Sequence, residues 1–133
     1  DSGLEVDVLG GGPGVRSARY AGPNADDGAN NRKLLRALLD VPAAARTARY
    51  RCVMVFMRSA DDPVPIIAEA HWEGRIAHEP RGAAGFGYDP LFVVDAAGRT
   101  AAELPSAEKN RLSHRGQALR ALVAALTGAE PAA

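Results

Sequence analysis

The sequence is poor in cysteine, lysine and aromatic residues and carries no net charge, because sixteen Lys and Arg balance sixteen Asp and Glu. Cys52 stands alone, which excludes an internal disulfide framework and a multi-thiolate zinc site. Its neighbours Val53, Met54 and Val55 make it a small buried hydrophobe, and a reducing cytoplasm is the expected setting. Charge neutrality removes any whole-molecule basic footprint. With only 5% aromatic residues there is no repeated stacking platform either, so nucleic acid is not an expected partner. The longest apolar run, Cys52–Met57, is far shorter than the roughly 18 residues that span a bilayer, so no membrane partner is expected. What is present is a globular composition, 47% hydrophobic and 24% charged, at a length that suits one domain. Ala, Gly, Arg and Pro are abundant and arginines outnumber lysines fourteen to two, a codon bias rather than a functional signal.

Periodicity predicts a mixed α/β domain. Leu4, Val6 and Val8 alternate with Glu5 and Asp7 as a half-buried strand that ends at the turn Gly10–Gly14. Asp26 or Asp27 caps a helix reaching Leu39, with Leu34, Leu35, Leu38 and Leu39 on its core face and Pro42 beyond its end. Arg49–Met57 reads as a strand buried on both faces, paired through a loop of Asp61, Asp62, Pro63 and Pro65 with a second strand at Ile66–Trp72. Glu73-Gly74-Arg75 carries the meander on into Ile76 and Ala77, and Leu91–Val94 adds another buried strand. Ser106 and Ser113 open two final helices. Ala118, Leu119, Leu122, Val123 and Leu126 repeat along the second, and Gly128 and Pro131 stop it. The expected architecture is a mixed twisted sheet with antiparallel pairs flanked by helices.

Four clusters carry chemistry. Asp1, Glu5 and Asp7 share a strand face, which suits a metal or a base and equally an ordinary exposed face. Gly85-Phe86-Gly87-Tyr88-Asp89-Pro90 lets backbone approach a flat ligand, with Phe86 placed to stack, or is a glycine-rich turn before a strand. Lys109, Arg111, His114, Arg115 and Arg120 face the single acid Glu108. Cations at a helix start oppose its dipole, a conflict that favours an anionic ligand over a solvated face. Gly10–Gly14 lacks both the dinucleotide-binding glycine spacing and a P-loop ending and reads as a tight turn. Carboxylates with cations fit Mg²⁺ and a nucleotide polyphosphate, and phosphate-ester chemistry is as far as the residues alone reach.

Several segments, in order, carry a resemblance: Asp1-Ser2-Gly3-Leu4, Leu9-Gly10-Gly11, Pro13-Gly14, Ser17–Gly22, Gly85–Pro90, Glu108-Lys109-Asn110 and Ser113-His114-Arg115. Together they resemble the dITP/XTP pyrophosphatase family, the inosine triphosphate pyrophosphatases. The resemblance implies hydrolysis of non-canonical purine nucleoside triphosphates (dITP, ITP, XTP) to monophosphate and pyrophosphate, with Mg²⁺, in a cytoplasmic homodimer. It implies Asp1 as metal ligand and proton acceptor and Ser2 as a substrate contact. It further implies Phe86, Gly87, Tyr88 and Asp89 as the loop around the base, and Lys109, His114 and Arg115 as purine contacts. The family's opening strand, its threonine-glycine-asparagine-x-x-lysine loop and its glutamate-bearing helix are not matched. The 133 residues are therefore expected to be the later two-thirds of the domain, an inosine triphosphate pyrophosphatase-like fold without that N-terminal portion. An alternative expectation is an impaired fragment that only binds nucleotide or dimerises.

Overall fold

A computed structural model describes residues 1–128. Its centre is a five-stranded sheet of order β2-β1-β3-β4-β5 in which every pairing is antiparallel. The strands are β1 (Ser2–Val6), β2 (Gly12–Pro13), β3 (Thr47–Phe56), β4 (Ile66–Ile76) and β5 (Phe92–Val93). Three helices accompany it: α1 (Asp27–Ala37), α2 (Ser106–Leu112) and α3 (His114–Thr127). The expected α/β class with antiparallel pairs is what is found.

The first strand stops two residues earlier than alternation suggests. Asp7–Leu9 form a 3-10 turn and leave the ladder at Val6, although Thr47 is the next residue of β3 in that register. The Asp7 carboxylate instead accepts from Thr47 Oγ1 at 2.7 Å and from Arg49 Nη1 at 2.9 Å. Strand β3 is not buried on both faces. Ala48, Tyr50 and Cys52 are buried while Arg49 and Arg51 stand on a charged face with Glu5, Glu69 and Glu73, so the strand alternates. The apolar run continues past the packed region, leaving Val55 and Met57 about half exposed. Strand β4 runs unbroken through Gly74. A Cβ there would lie 2.4 Å from the Val93 carbonyl oxygen and 2.7 Å from Phe92, so this glycine admits β5 rather than making a turn. The last strand is shorter than Leu91–Val94, because Leu91 closes a preceding 3-10 turn.

Asp26 caps α1 by accepting from Ala29 N at 2.8 Å. The helix ends at Ala37, two residues before the expected Leu39, and Leu39 lies exposed rather than in the core. Its free carbonyl ends need donors. Buried Arg46 supplies them, donating to Leu38 O at 2.5 Å and Val41 O at 2.8 Å, and also to Ala77 O at 3.1 Å. On α3, Ser113 accepts from Gly116 N at 3.1 Å as an N-cap, and Gly128 ends the helix at φ +71°. Pro131 lies outside the described residues. Only Ala118 and Ala124 of this helix's apolar side chains are buried; Leu119, Val123 and Leu126 of the helical repeat are exposed. The core gathers Leu4, Val6, Leu34 and Leu38 around Tyr50, Trp72 and Phe92. Tyr50 and Phe92 lie 4.6 Å apart and Trp72 meets the Phe92 ring edge at 5.4 Å.

Candidate functional site

The Gly85–Pro90 segment folds back on itself because Gly85 has φ +79° and no side chain. A Cβ there would sit 2.3 Å from Asp89 Oδ2. The carboxylate therefore tucks under the loop, only 3% exposed, and Oδ2 accepts from Phe86 N at 3.0 Å and Lys109 Nζ at 2.5 Å. Oδ1 accepts from the Tyr50 hydroxyl at 3.1 Å. Three donors thus satisfy three of the roughly four lone-pair positions of a carboxylate. One position on Oδ1 remains.

The loop is anchored to elements far away in sequence. Gly87 N donates to Asp27 Oδ2 at 2.9 Å and Asn31 Nδ2 donates to Gly87 O at 3.1 Å, so the start of α1 grips the peptide groups on both sides of one residue. The Tyr88 hydroxyl, buried, donates to Ser17 O at 2.6 Å, and burial pushes that phenol well above its usual pKa. Phe86 remains half exposed at 52%. Two cations lie against its ring, Lys109 Nζ at 4.6 Å and the Arg115 guanidinium at 4.5 Å.

Lys109 comes from α2, and His114 and Arg115 open α3. The two helices meet closely because residue 116 is glycine: a Cβ there would lie 1.8 Å from Asn110 O. Arg115 Nη2 also donates to Ser2 Oγ at 3.0 Å, tying α3 to the beginning of β1. His114 stacks on Tyr50, with centroids 4.7 Å apart and planes within 10°, and its buried Nδ1 has no hydrogen-bond partner. Burial, with the positive charge of Arg115 nearby, lowers its pKa to about 4, so the imidazole is neutral at pH 7. The basic surplus of this segment divides. Arg120 turns back to the end of α2, donating to Arg111 O at 2.7 Å, and Glu108 pairs with Arg99 at 2.9 Å. Arg120, so engaged, still borders the site beside Lys109, Arg115 and a neutral His114.

These groups line one concavity of about 800 Å³, a volume ordinary for a small-molecule site. Ser2, Phe86, Gly87, Tyr88, Asp89, Lys109, His114 and Arg115 all border it. Asp1 does not. It extends the β1–β3 ladder through Asp1 N to Val53 O at 2.6 Å and Val53 N to Asp1 O at 2.8 Å. Strand alternation then places Asp1 with Gly3 and Glu5 on the face opposite Leu4 and Val6. There it borders a smaller hollow of about 210 Å³ with Glu5, Gly14 and Arg51. Glu5 pairs with Arg51 at 3.0 Å and Asp7 with Arg49 at 2.9 Å, whereas the Asp1 carboxylate has no ion pair among the described residues. No three His, Cys, Asp or Glu side chains cluster to hold a metal among the described residues. Within Gly10–Gly14 the expected turn is confined to Gly10-Gly11 at positive φ, and Gly12–Pro13 return as β2 against β1.

Asp27, read only as a candidate helix cap, and Ser17, part of a matched segment, also build the site, as do Asn31 and Tyr50, which were not singled out by sequence reasoning. Two signals pointed to them. Asn30 and Asn31 are poor helix formers inside a helix, which indicates side chains engaged elsewhere. Tyr50 falls on a buried strand face, where its hydroxyl requires a partner.

Among the described residues no helix is long and apolar enough to cross a membrane. Comparison with known proteins gives a consistent picture. The chain is 63% identical over 128 residues to a dITP/XTP pyrophosphatase of Thioalkalivibrio sulfidiphilus, covering 96% of this chain and 65% of that protein. It is 55% identical over 126 residues to the dITP/XTP pyrophosphatase of Escherichia coli K12, covering 95% and 64%. The chain thus spans a little under two-thirds of the length of these relatives. Among solved structures, a HAM1 protein from Coxiella burnetii superposes with a TM-score of 0.91 at 51% identity, covering 97% of this chain and 66% of that one. The Staphylococcus aureus Ham1 protein superposes at 0.88 with 42% identity, covering 96% and 65%. The Ham1 family model matches residues 1–125, and with these likenesses in sequence and fold the chain belongs to the Ham1 family.

Proposed function

We propose that this chain forms the base-recognising part and the catalytic strand of a pyrophosphatase that hydrolyses dITP, ITP and XTP to the monophosphate and pyrophosphate. The observation that carries this reading is the pairing of an acceptor with a donor on one wall of the site. Asp89 Oδ1 keeps an acceptor position, and Lys109 Nζ, adjacent to it, is a donor. A 6-oxopurine presents the complementary N1–H donor beside its O6 acceptor. Adenine presents an acceptor at N1 and donors at N6, so each contact would be left unmade or opposed. Phe86 supplies the face on which the base stacks, Arg115 braces it, and the partnerless Nδ1 of neutral His114 offers a further polar contact. Ser2 and Tyr88 frame the pocket as substrate contacts. Relatives named dITP/XTP pyrophosphatase at 55% identity and above support the same substrate class.

In the hydrolytic step, the Asp1 carboxylate accepts a proton from the water that attacks the α-phosphorus. Its lack of an ion pair leaves it available for this, and for holding Mg²⁺, which commonly takes one or two carboxylates with the remaining positions filled by phosphate oxygens and water. Bound there, Mg²⁺ would neutralise phosphate charge and lower the cost of forming hydroxide. A homodimer belongs to the same reading, with the exposed Val55, Met57, Val64 and Ile67 at the end of the β3–β4 hairpin as its contact. Residues 1–133 as the later two-thirds of a single domain, in the cytoplasm, complete the reading.

The test separates binding from turnover. Calorimetry should show ITP bound more tightly than ATP, and with Mg²⁺ pyrophosphate should be released from dITP far faster than from dATP. Asp1→Asn should abolish most release while leaving the ITP preference intact. Equal handling of dITP and dATP would refute the specificity; full activity of Asp1→Asn would refute the assigned base.

A further inference from the structure

Tyr50 belongs to none of the motifs in the Gly85–Pro90 loop or the two final helices, yet it touches both. It sits on β3, the central strand, opposite Leu4 of β1 and Trp72 of β4, so its backbone is held by ladders on both sides. Its ring is held by Phe92 at 4.6 Å and Trp72 at 6.5 Å, and the nearly parallel His114 imidazole stacks on it at 4.7 Å. Its hydroxyl reaches Asp89 Oδ1 at 3.1 Å, the oxygen not used by Lys109 or Phe86 N. One residue on the most constrained strand therefore sets the plane of the histidine and the rotation of the carboxylate.

We infer that Tyr50 is a specificity-determining positioning residue, holding Asp89 so that a single acceptor position on Oδ1 faces the purine and supporting His114 beside it. The inference rests on the reading of this pocket as a 6-oxopurine site. Its logic is one of lone pairs. With three donors in place, Asp89 can accept one substrate hydrogen bond in one direction, which suits N1–H. Without the hydroxyl, Oδ1 gains a second open position and the carboxylate turns more freely about its Cβ–Cγ bond. It can then accept from the N6 amino group of adenine as well, so the loss is one of discrimination more than of affinity.

Two variants divide the roles. Tyr50→Phe keeps the ring and its stack and removes only the hydroxyl; Tyr50→Leu removes both. Affinities of the full chain for inosine 5′-monophosphate and adenosine 5′-monophosphate are measured by calorimetry, and the His114 ring is followed by NMR. The expected result for Tyr50→Phe is a fall of about tenfold in the inosine-to-adenosine preference, the scale of one hydrogen bond to a charged acceptor. His114 should titrate as in the parent protein. Tyr50→Leu should lose the preference and also raise the His114 titration toward its ordinary value, since the imidazole loses its cover. A purely structural role for the hydroxyl would lower both affinities alike and leave their ratio unchanged, which overturns the inference. In the unaltered protein the Tyr50 ring resonances should shift on adding inosine monophosphate and not on adding the adenosine compound at the same concentration. The absence of that difference overturns the inference even if a variant does not fold. If the parent protein shows no preference between the two nucleotides, the 6-oxopurine reading itself has failed. If it prefers inosine and Tyr50→Phe keeps the same preference ratio, only the assignment to Tyr50 has failed.

Discussion

Replacing Lys109 by Met tests how far the site's central ion pair is removed from water. The Asp89 side chain is 5% exposed and that of Lys109 19%, with 2.5 Å between charged atoms. At an effective dielectric near 20 the gross attraction is about 7 kcal/mol. Desolvation offsets most of it, so the pair's net contribution is small, but removing one partner strands the other. Such a loss costs about 3–5 kcal/mol for a fully buried pair. Here Asp89 keeps the Tyr50 hydroxyl and Phe86 N–H, and Lys109 is partly solvated, which reduces the expected cost to about 2–4 kcal/mol. For a chain of this size that is a fall in Tm of about 10 °C. Urea unfolding at pH 7 should show a lower midpoint at constant slope. Adding Asp89→Asn removes the stranded charge, so the double variant should regain at least half of the loss. A Lys109→Met cost below about 1 kcal/mol, with no recovery in the double variant, would show that Asp89 is solvated and that the pocket wall is not built as described.

Two further outcomes follow from the same geometry. His114 is neutral in the fold with its pKa lowered to about 4, while an unfolded histidine titrates near 6.5. The unfolded chain therefore binds the extra proton first, and stability should fall as pH drops from about 6.5 to about 4, by at most about 3 kcal/mol. His114→Gln should remove that slope. The hydrogen-bonded carboxylates Asp7, Asp62 and Asp95 have lowered pKa values, so the stability they contribute is lost at more acid pH, which keeps the two effects apart. An NMR titration placing His114 near 6.5 would refute the prediction. Gly85→Ala should abolish inosine monophosphate binding, because the new methyl group displaces Asp89 Oδ2 from 2.3 Å away. Gly98→Ala is the control: its φ of +82° carries the same backbone strain of about 1–2 kcal/mol with nothing within 4 Å, so it should lower stability and spare binding. Equal binding in the two variants would refute the close approach.

Alternation and capping residues were sufficient for the fold's outline. The Asp26 and Ser113 caps, the β3–β4 hairpin and the glycine stop at Gly128 all rest on chemistry within a few residues. The misreadings are places where a distant partner decides. A glycine between charged residues looks like a turn, and only the proximity of Val93 reveals Gly74 as a crossing point. An apolar run looks doubly buried, but Val55 and Met57 extend beyond the helices that could cover them. The site divides in the same way. Phe86, Asp89, Lys109, His114 and Arg115 stand in compact motifs and were legible. Asp27 and Asn31 act about sixty residues away on Gly87, and Tyr50 acts 39 residues from Asp89. Nothing in local spacing records those pairings.

The separation of Asp1 from the base pocket follows from the pleat of β1, since neighbouring side chains on a strand point to opposite faces. Ser2 faces the pocket and Asp1 faces away from it, so their relation depends on the register of β1 against β3, with Ser2 opposite Cys52. A slip of one residue would exchange the two faces. Two contacts oppose that slip. Gly3 lies against Gly14, where a Cβ would be 2.5 Å from the carbonyl oxygen, and no other residue of β1 could occupy that position without displacing the turn. Ser2 accepts from Arg115, whose guanidinium rests on Phe86. The glycine turn is thus a spacer that holds the strand in register, and Arg115 joins the strand end to the base loop. In the proposed reading this chain of contacts sets the distance between Asp1 and a base stacked on Phe86, a distance the substrate would have to match for its α-phosphorus to reach the carboxylate.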